Sequence, residues 1–212
     1  QANRSTMAGI AAHWASWGLD VVTPDLCHAT IFDADHASNG ADLVALAQSL
    51  SLATPIYAGY SAGGLAAVVA AAQDGSAGAL LGLDMVDSGG LGLGAAEAVV
   101  VPALDLIGEG SMCNESNNGR AVFDAMPDSR VLRIVAADHC DFQSPADVLC
   151  GSVCAAGSGA VDDAEIATTL LGVSTGFLVT QGDIDPTGAQ WTTPGAPWYA
   201  TLLEAGLIAE PG

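Results

Sequence analysis

The chain has 212 residues, half of them apolar and only 13% charged, which suits a domain with a sizeable core and excludes a disordered chain. Its 24 acidic residues face four basic ones, all arginine, for a formal charge of −20; such a surface repels phosphate backbones and anionic headgroups, so no nucleic-acid partner is expected. No apolar run reaches the ~18 residues of a membrane-spanning helix, so no transmembrane segment is expected either.

Ser5 to Trp17 reads as a helix, with Ser5 able to cap it and Gly18 able to end it in a left-handed conformation. Leu19 to Thr23 (LDVVT) reads as a short buried strand closed by Pro24. A polar loop carrying His28 and His36 follows, then a helix over Ala41 to Leu50, with apolar residues at 43, 46, 47 and 50. Thr54 to Tyr60 reads as a strand, and Ala62 to Gln73 as a helix directly after it. Ala79 to Leu83, Ala103 to Ile107 and Arg130 to Val135 read as further strands, with a helix at Asn118 to Ala125. Asp162 opens a last long helix, with Glu165 three residues on as in a capping box. Strands alternating with helices predict parallel strands and right-handed crossovers, hence a three-layer α/β/α sandwich in one domain. The Gly-, Pro- and Trp-rich segment 182–212 is expected to wrap over the surface.

Gly59-Tyr60-Ser61-Ala62-Gly63 is a G-x-S-x-G motif between a strand and a small-residue helix. That context puts a serine Oγ into the open on a sharp turn, where flanking glycines avoid collision and helix N–H groups favour a developing oxyanion. Ser61 is therefore the candidate nucleophile, and the Ala62 backbone N–H a candidate oxyanion donor. A base must lie within hydrogen-bond reach. His139, after the last strand and after Ser61 in chain order, is the candidate. His13 reads as an ordinary helix residue, and His28 and His36 as loop residues that could rim a pocket. Asp84, at the end of the strand after the nucleophile helix, is the candidate acid that fixes the histidine tautomer; Glu109, Glu115 and Asp87 are the alternatives. Met85, Met112 and Tyr60 are candidates to line an acyl pocket.

ANRSTMAGIAAHWASWGLDVVTPDL, GYSAGG, LLGLDMVDS and AADHCDFQSP together resemble one branch of the α/β-hydrolases: the chlorophyllase, platelet-activating-factor acetylhydrolase and dienelactone-hydrolase-like esterases. The resemblance covers roughly residues 1–180. It implies an α/β-hydrolase fold and gives Ser61 the nucleophile's role, His139 the base's and Asp84 the acid's. It implies no cofactor and no metal. It also implies further strands and a His-Gly oxyanion loop ahead of Gln1, so the fold reads as N-terminally incomplete, with a second oxyanion donor just upstream of Gln1 or at Gln1 itself. The chain opens on Gln1 rather than Met, which fits processing, truncation or partial sequencing.

Five cysteines are many for a reduced compartment and point to disulfides and a secreted or periplasmic location. Cys150-x-x-x-Cys154 lacks the paired knuckles of a zinc site. Cys113 and Cys140 could bridge to pin the histidine loop and Cys150 could pair with Cys154, leaving Cys27 free; sequence leaves other connectivities open. Three functions compete. The first is a serine esterase on small or medium carboxylic esters, the second a polyester or lipid hydrolase with the same triad. The third is a non-catalytic binding module.

Overall fold

The apolar runs assemble into a five-stranded sheet in the computed structural model, which describes residues 4–29, 34–154 and 159–211. The strands are β1 (Ile56–Tyr60), β2 (Ala79–Leu83), β3 (Ala103–Ile107), β4 (Ser129–Ile134) and β5 (Ile208–Ala209), side by side in that order. β1 to β4 pair in parallel, and β5 closes the far edge antiparallel to β4. β2 and β3 are buried along their whole length, as a parallel sheet covered on both faces requires.

Alternation sorts the strand side chains onto two faces. Leu81, Leu83, Leu104, Leu106, Leu132 and Ile134 meet helices α1 (Ala8–Ser16) and α7 (Asp163–Gln181). Tyr57, Leu80 and Ala103 meet α2 (His36–Ser49), α3 (Ala62–Gln73) and α5 (Gly119–Asp124). The result is a three-layer α/β/α sandwich. Helix α3 is nearly all Ala, Gly, Leu and Val, and its buried small residues let it lie close to both the sheet and α2. Three further helices are α4 (Leu91–Ala95), α6 (Val148–Val153) and α8 (Pro197–Glu204). Among the described residues no helix is long and apolar enough to cross a membrane.

Several elements depart from the sequence reading. Leu19–Thr23 belongs to no strand and makes no main-chain hydrogen bond to another described residue; LDVVT has strand composition, but pairing needs a neighbouring edge, and no described strand pairs with it. The segment 182–212 does more than wrap the surface. Trp191 packs on Gly172 and Gly176 of α7, where added Cβ atoms would approach it to 2.5 and 2.8 Å, and the chain then returns to the sheet as β5. Helix α1 is capped by Met7 without a side-chain bond, and Ser5 lies in a preceding 3₁₀ turn, whereas Gly18 does take positive φ (+92°). Asp162 caps α7 by accepting from the Ala164 amide at 2.9 Å.

Candidate active site

β1 ends at Tyr60 and α3 starts at Ala62, so Ser61 must turn the chain within one residue. It does so at φ 53°, ψ −129°, a conformation that costs a non-glycine residue roughly 1–3 kcal/mol and persists only when its surroundings enforce it. The enforcement is visible: the Ser61 amide donates to the Leu83 carbonyl at 3.0 Å, and its carbonyl accepts from Gly64 at 2.9 Å. The glycines around the turn are not equivalent. A Cβ at Gly59 would stand 2.3 Å from the Gly63 carbonyl oxygen, and one at Gly64 would stand 2.6 Å from Met85 Cγ, but one at Gly63 would meet nothing within 4 Å. The expectation that both glycines flanking the motif avoid a collision thus holds for Gly59 and not for Gly63.

His139 arrives from the end of β4. A 3₁₀ turn, His139–Phe142, is clamped by a capping box in which Asp138 accepts from Cys140 and Asp141 accepts from Asp138. The ring is buried, with Nε2 3.0 Å from Ser61 Oγ and Nδ1 2.6 Å from Asp84 Oδ2. Because a carboxylate only accepts, the network assigns the proton to Nδ1 and leaves Nε2 as acceptor for the serine hydroxyl. The Tyr60 ring packs 4.8 Å from the imidazole, centroid to centroid, and fixes its plane from one side.

Asp84 follows β2 directly and also takes positive φ (+47°). Its amide donates to Leu106 at 2.7 Å. Its carboxylate is almost wholly buried, yet accepts from the Gly108 amide (2.9 Å), from Asn114 Nδ2 (3.0 Å) and from His139. Charge-assisted bonds of this kind are what make a buried carboxylate tolerable. The three alternative acids have other positions. Asp87 accepts from the Gly92 amide at the start of α4, Glu109 accepts from the Ala136 amide, and Glu115 bonds Asn118 near the surface. Asn114 is fully buried and bridges the Asp84 carboxylate to the Glu109 carbonyl. Sequence reasoning missed it; the one available signal was an asparagine a few residues past a strand end, which ordinarily reads as turn.

A second carboxyl lies below. Asp105 is fully buried on β3 opposite Gly82, and a Cβ on Gly82 would come within 2.3 Å of its Oδ1. Among the described residues neither oxygen has a partner in full hydrogen-bond geometry, and the Met85 amide offsets their burial only in part. Burial first, and the charge of Asp84 second, push its pKa well above the usual carboxylate value, which favours the neutral acid in the folded state. The native state then keeps a proton that the unfolded chain releases above about pH 4. Stability should fall by up to about 1.4 kcal/mol per pH unit from this group, between that value and its own raised pKa. Asp105→Asn preserves the shape without the proton. Urea unfolding between pH 5 and pH 8 should show a shallower loss of stability in this variant than in the parent; an identical slope in both rules the ionisation out.

The disulfides are Cys113–Cys154 and Cys140–Cys150, which corrects the expected pairing. Cys150 and Cys154 stand four residues apart around α6, so their side chains point the same way rather than at each other. Each reaches across to a different loop. Cys140, next to His139, is thereby tied to α6, and Cys113 is tied to the residue just past that helix. Among the described residues the sulfurs of Cys140, Cys150 and Cys154 lie within 4.8 Å of one another, all engaged in these bridges. Cys27 is unpaired and exposed.

The other candidates divide. Ala62 lines the cleft at the serine, and its amide is the first of α3, where helix amides lack an intrahelical partner. Gln1 lies outside the described residues. Tyr60 lines the cleft, whereas Met85 is core packing behind Asp84 and Met112 is exposed to solvent. Neither methionine lines the cleft at Ser61: Met85 packs on the α3 face of the sheet, and Met112 rides an outer loop. His36 lines the cleft, and burial lowers its pKa. His28 pairs with Asp42 and His13 packs near Trp17. Comparison with known protein families finds no matching family model, and comparison with characterised proteins finds no match.

Proposed function

We propose that this chain is a serine hydrolase of the α/β-hydrolase fold, in the chlorophyllase-like branch, that cleaves carboxylic esters. The observation carrying the reading is the unbroken chain of contacts Ser61 Oγ–His139 Nε2 (3.0 Å) and His139 Nδ1–Asp84 Oδ2 (2.6 Å) across three separate loops. Ser61 Oγ attacks the ester carbonyl while His139 takes its proton, and the tetrahedral oxyanion forms against the Ala62 amide. Collapse expels the alcohol, which receives the proton from His139, and leaves an acyl group on Ser61. Water, deprotonated by His139, attacks the acyl-enzyme and releases the acid. Asp84 stabilises the imidazolium in both halves. The two disulfides support an oxidising compartment, secreted or periplasmic.

The test uses p-nitrophenyl acetate and a fluorophosphonate probe. A burst of nitrophenol equal to one per chain, and covalent labelling of Ser61, are expected. Ser61→Ala should abolish labelling and lower kcat by about 10⁴-fold or more. Well-folded protein that neither labels nor hydrolyses any short ester would leave a binding module as the better reading.

A further inference from the structure

The fully buried Asn114, in the loop after β3, uses both ends of its side-chain amide. Oδ1 accepts from the backbone amides of Ser111 (2.7 Å) and Asn117 (3.3 Å). Nδ2 donates to Asp84 Oδ2 (3.0 Å) and to the Glu109 carbonyl (2.9 Å). The amide group is thus saturated, with an acceptor bond or a donor bond at every position it has. Turned over, it would set its oxygen against a carboxylate and a carbonyl, and its NH₂ against two N–H donors. The backbone therefore dictates which end of Asn114 meets the acid. Asn114 also shares Oδ2 with the imidazole. A carboxylate oxygen that accepts from two fixed donors at once has little freedom to rotate.

The loop is strained around this arrangement. Glu115, Ser116 and Asn117 take positive φ in succession, at 47°, 57° and 62°, a region that residues other than glycine visit singly rather than in runs. Such strain persists only where the surroundings over-determine it. Here the Ser116 amide donates back to the Ser111 carbonyl at 2.7 Å, and Asn117 Nδ2 donates to the Gly108 carbonyl at 3.1 Å. Cys113, the residue before Asn114, is tied by its disulfide to Cys154, just past α6. That helix in turn is tied through Cys150 to Cys140, beside His139. Gly108, at the root of the same loop, donates its amide to Asp84 Oδ1. One braced loop thus supplies a donor to each oxygen of the Asp84 carboxylate.

We infer that Asn114 is a positioning residue for the proposed reaction: its Nδ2 fixes the rotation of the Asp84 carboxylate, so that Oδ2 stays on His139 Nδ1 while the imidazole takes up and returns the serine's proton. The inference rests on the ester reading above. Two variants separate the donor from the turn. Asn114→Ser keeps an oxygen for the loop amides but has nothing that reaches Asp84, whereas Asn114→Ala keeps neither. On p-nitrophenyl acetate both should lose about 10- to 100-fold in kcat, with KM within about twofold of the parent. The Ser variant should stay closer to the parent in urea unfolding, and it carries the test alone if the Ala variant does not fold. In a chain that already bears Asp84→Asn, adding Asn114→Ser should cost no more than about threefold, because a positioning residue has no further effect once the group it positions is gone. An Asn114→Ser chain that keeps more than about half of kcat overturns the inference, and so does an equal loss with and without the Asp84 carboxylate. Either result, or an Asn114→Ser chain that does not fold, makes Asn114 a part of the turn alone. A parent chain that neither labels with the fluorophosphonate nor hydrolyses the ester overturns the ester reading itself, and this inference with it.

Discussion

Asp84→Asn should lower kcat on a p-nitrophenyl ester by about 10⁴-fold while leaving KM nearly unchanged. The carboxylate has only acceptors to offer, and they are used: Oδ1 takes the Gly108 amide, while Oδ2 takes Asn114 and the imidazole. An amide keeps one acceptor oxygen and adds an NH₂ donor. If its oxygen faces His139 and Asn114, the NH₂ confronts the Gly108 donor. If its oxygen faces Gly108, the NH₂ confronts Asn114 and donates to the imidazole, and the ring turns its proton to Nε2, where Ser61 needs an acceptor. The first arrangement strains the fold by about 1–3 kcal/mol for a buried unmet group, and the second silences the base. Melting and kinetics measured together separate them, and either yields a deficit in kcat. A variant that keeps more than about a tenth of kcat removes Asp84 from the proposed triad.

What could be read in advance follows from how local each signal is. The serine turn was legible because its constraints sit within six residues: a strand, a sharp turn, a small-residue helix. The positions of His139 and Asp84 were legible because Asp84 directly follows β2 and His139 sits in the loop five residues past β4, and parallel strands deliver their ends to one edge. Asn114 was not, because its importance arises only when Asp84 stands over it, 30 positions away in the chain. The disulfides were misread because pairing by loop position ignores the turn of α6, which sets Cys150 and Cys154 side by side on one face, each within reach of a cysteine from a different loop. β5 is two residues long and carries no periodicity, so only its antiparallel seat on β4 defines it. Leu19–Thr23 shows the converse: strand composition is a property of the segment, whereas strand structure needs a partner edge.

Gly59→Ala and Gly63→Ala form a pair whose contrast tests the turn itself. Both glycines belong to the same five-residue motif, and a motif-level reading makes them equally indispensable. The space around them does not. The Gly59 Cβ would sit 2.3 Å from the Gly63 carbonyl oxygen and 2.7 Å from the Gly64 nitrogen, atoms of a helix start that cannot swing aside as a flexible side chain would. Relief requires α3 to retreat from β1, which drags Ser61 out of its enforced conformation and away from His139. The expected outcome is a loss of about 1–3 kcal/mol or more in urea unfolding, with fluorophosphonate labelling of Ser61 slowed in parallel. Gly63 faces open space and has ordinary helical backbone, so a methyl group there relieves the helix of its glycine penalty. Stability should hold or rise by up to about 1 kcal/mol. Equal damage at the two positions would mean that the turn is governed by something other than the close approach of α3 to β1. The order Gly59 worse than Gly63, in both stability and labelling, ties the serine's exposure to that approach.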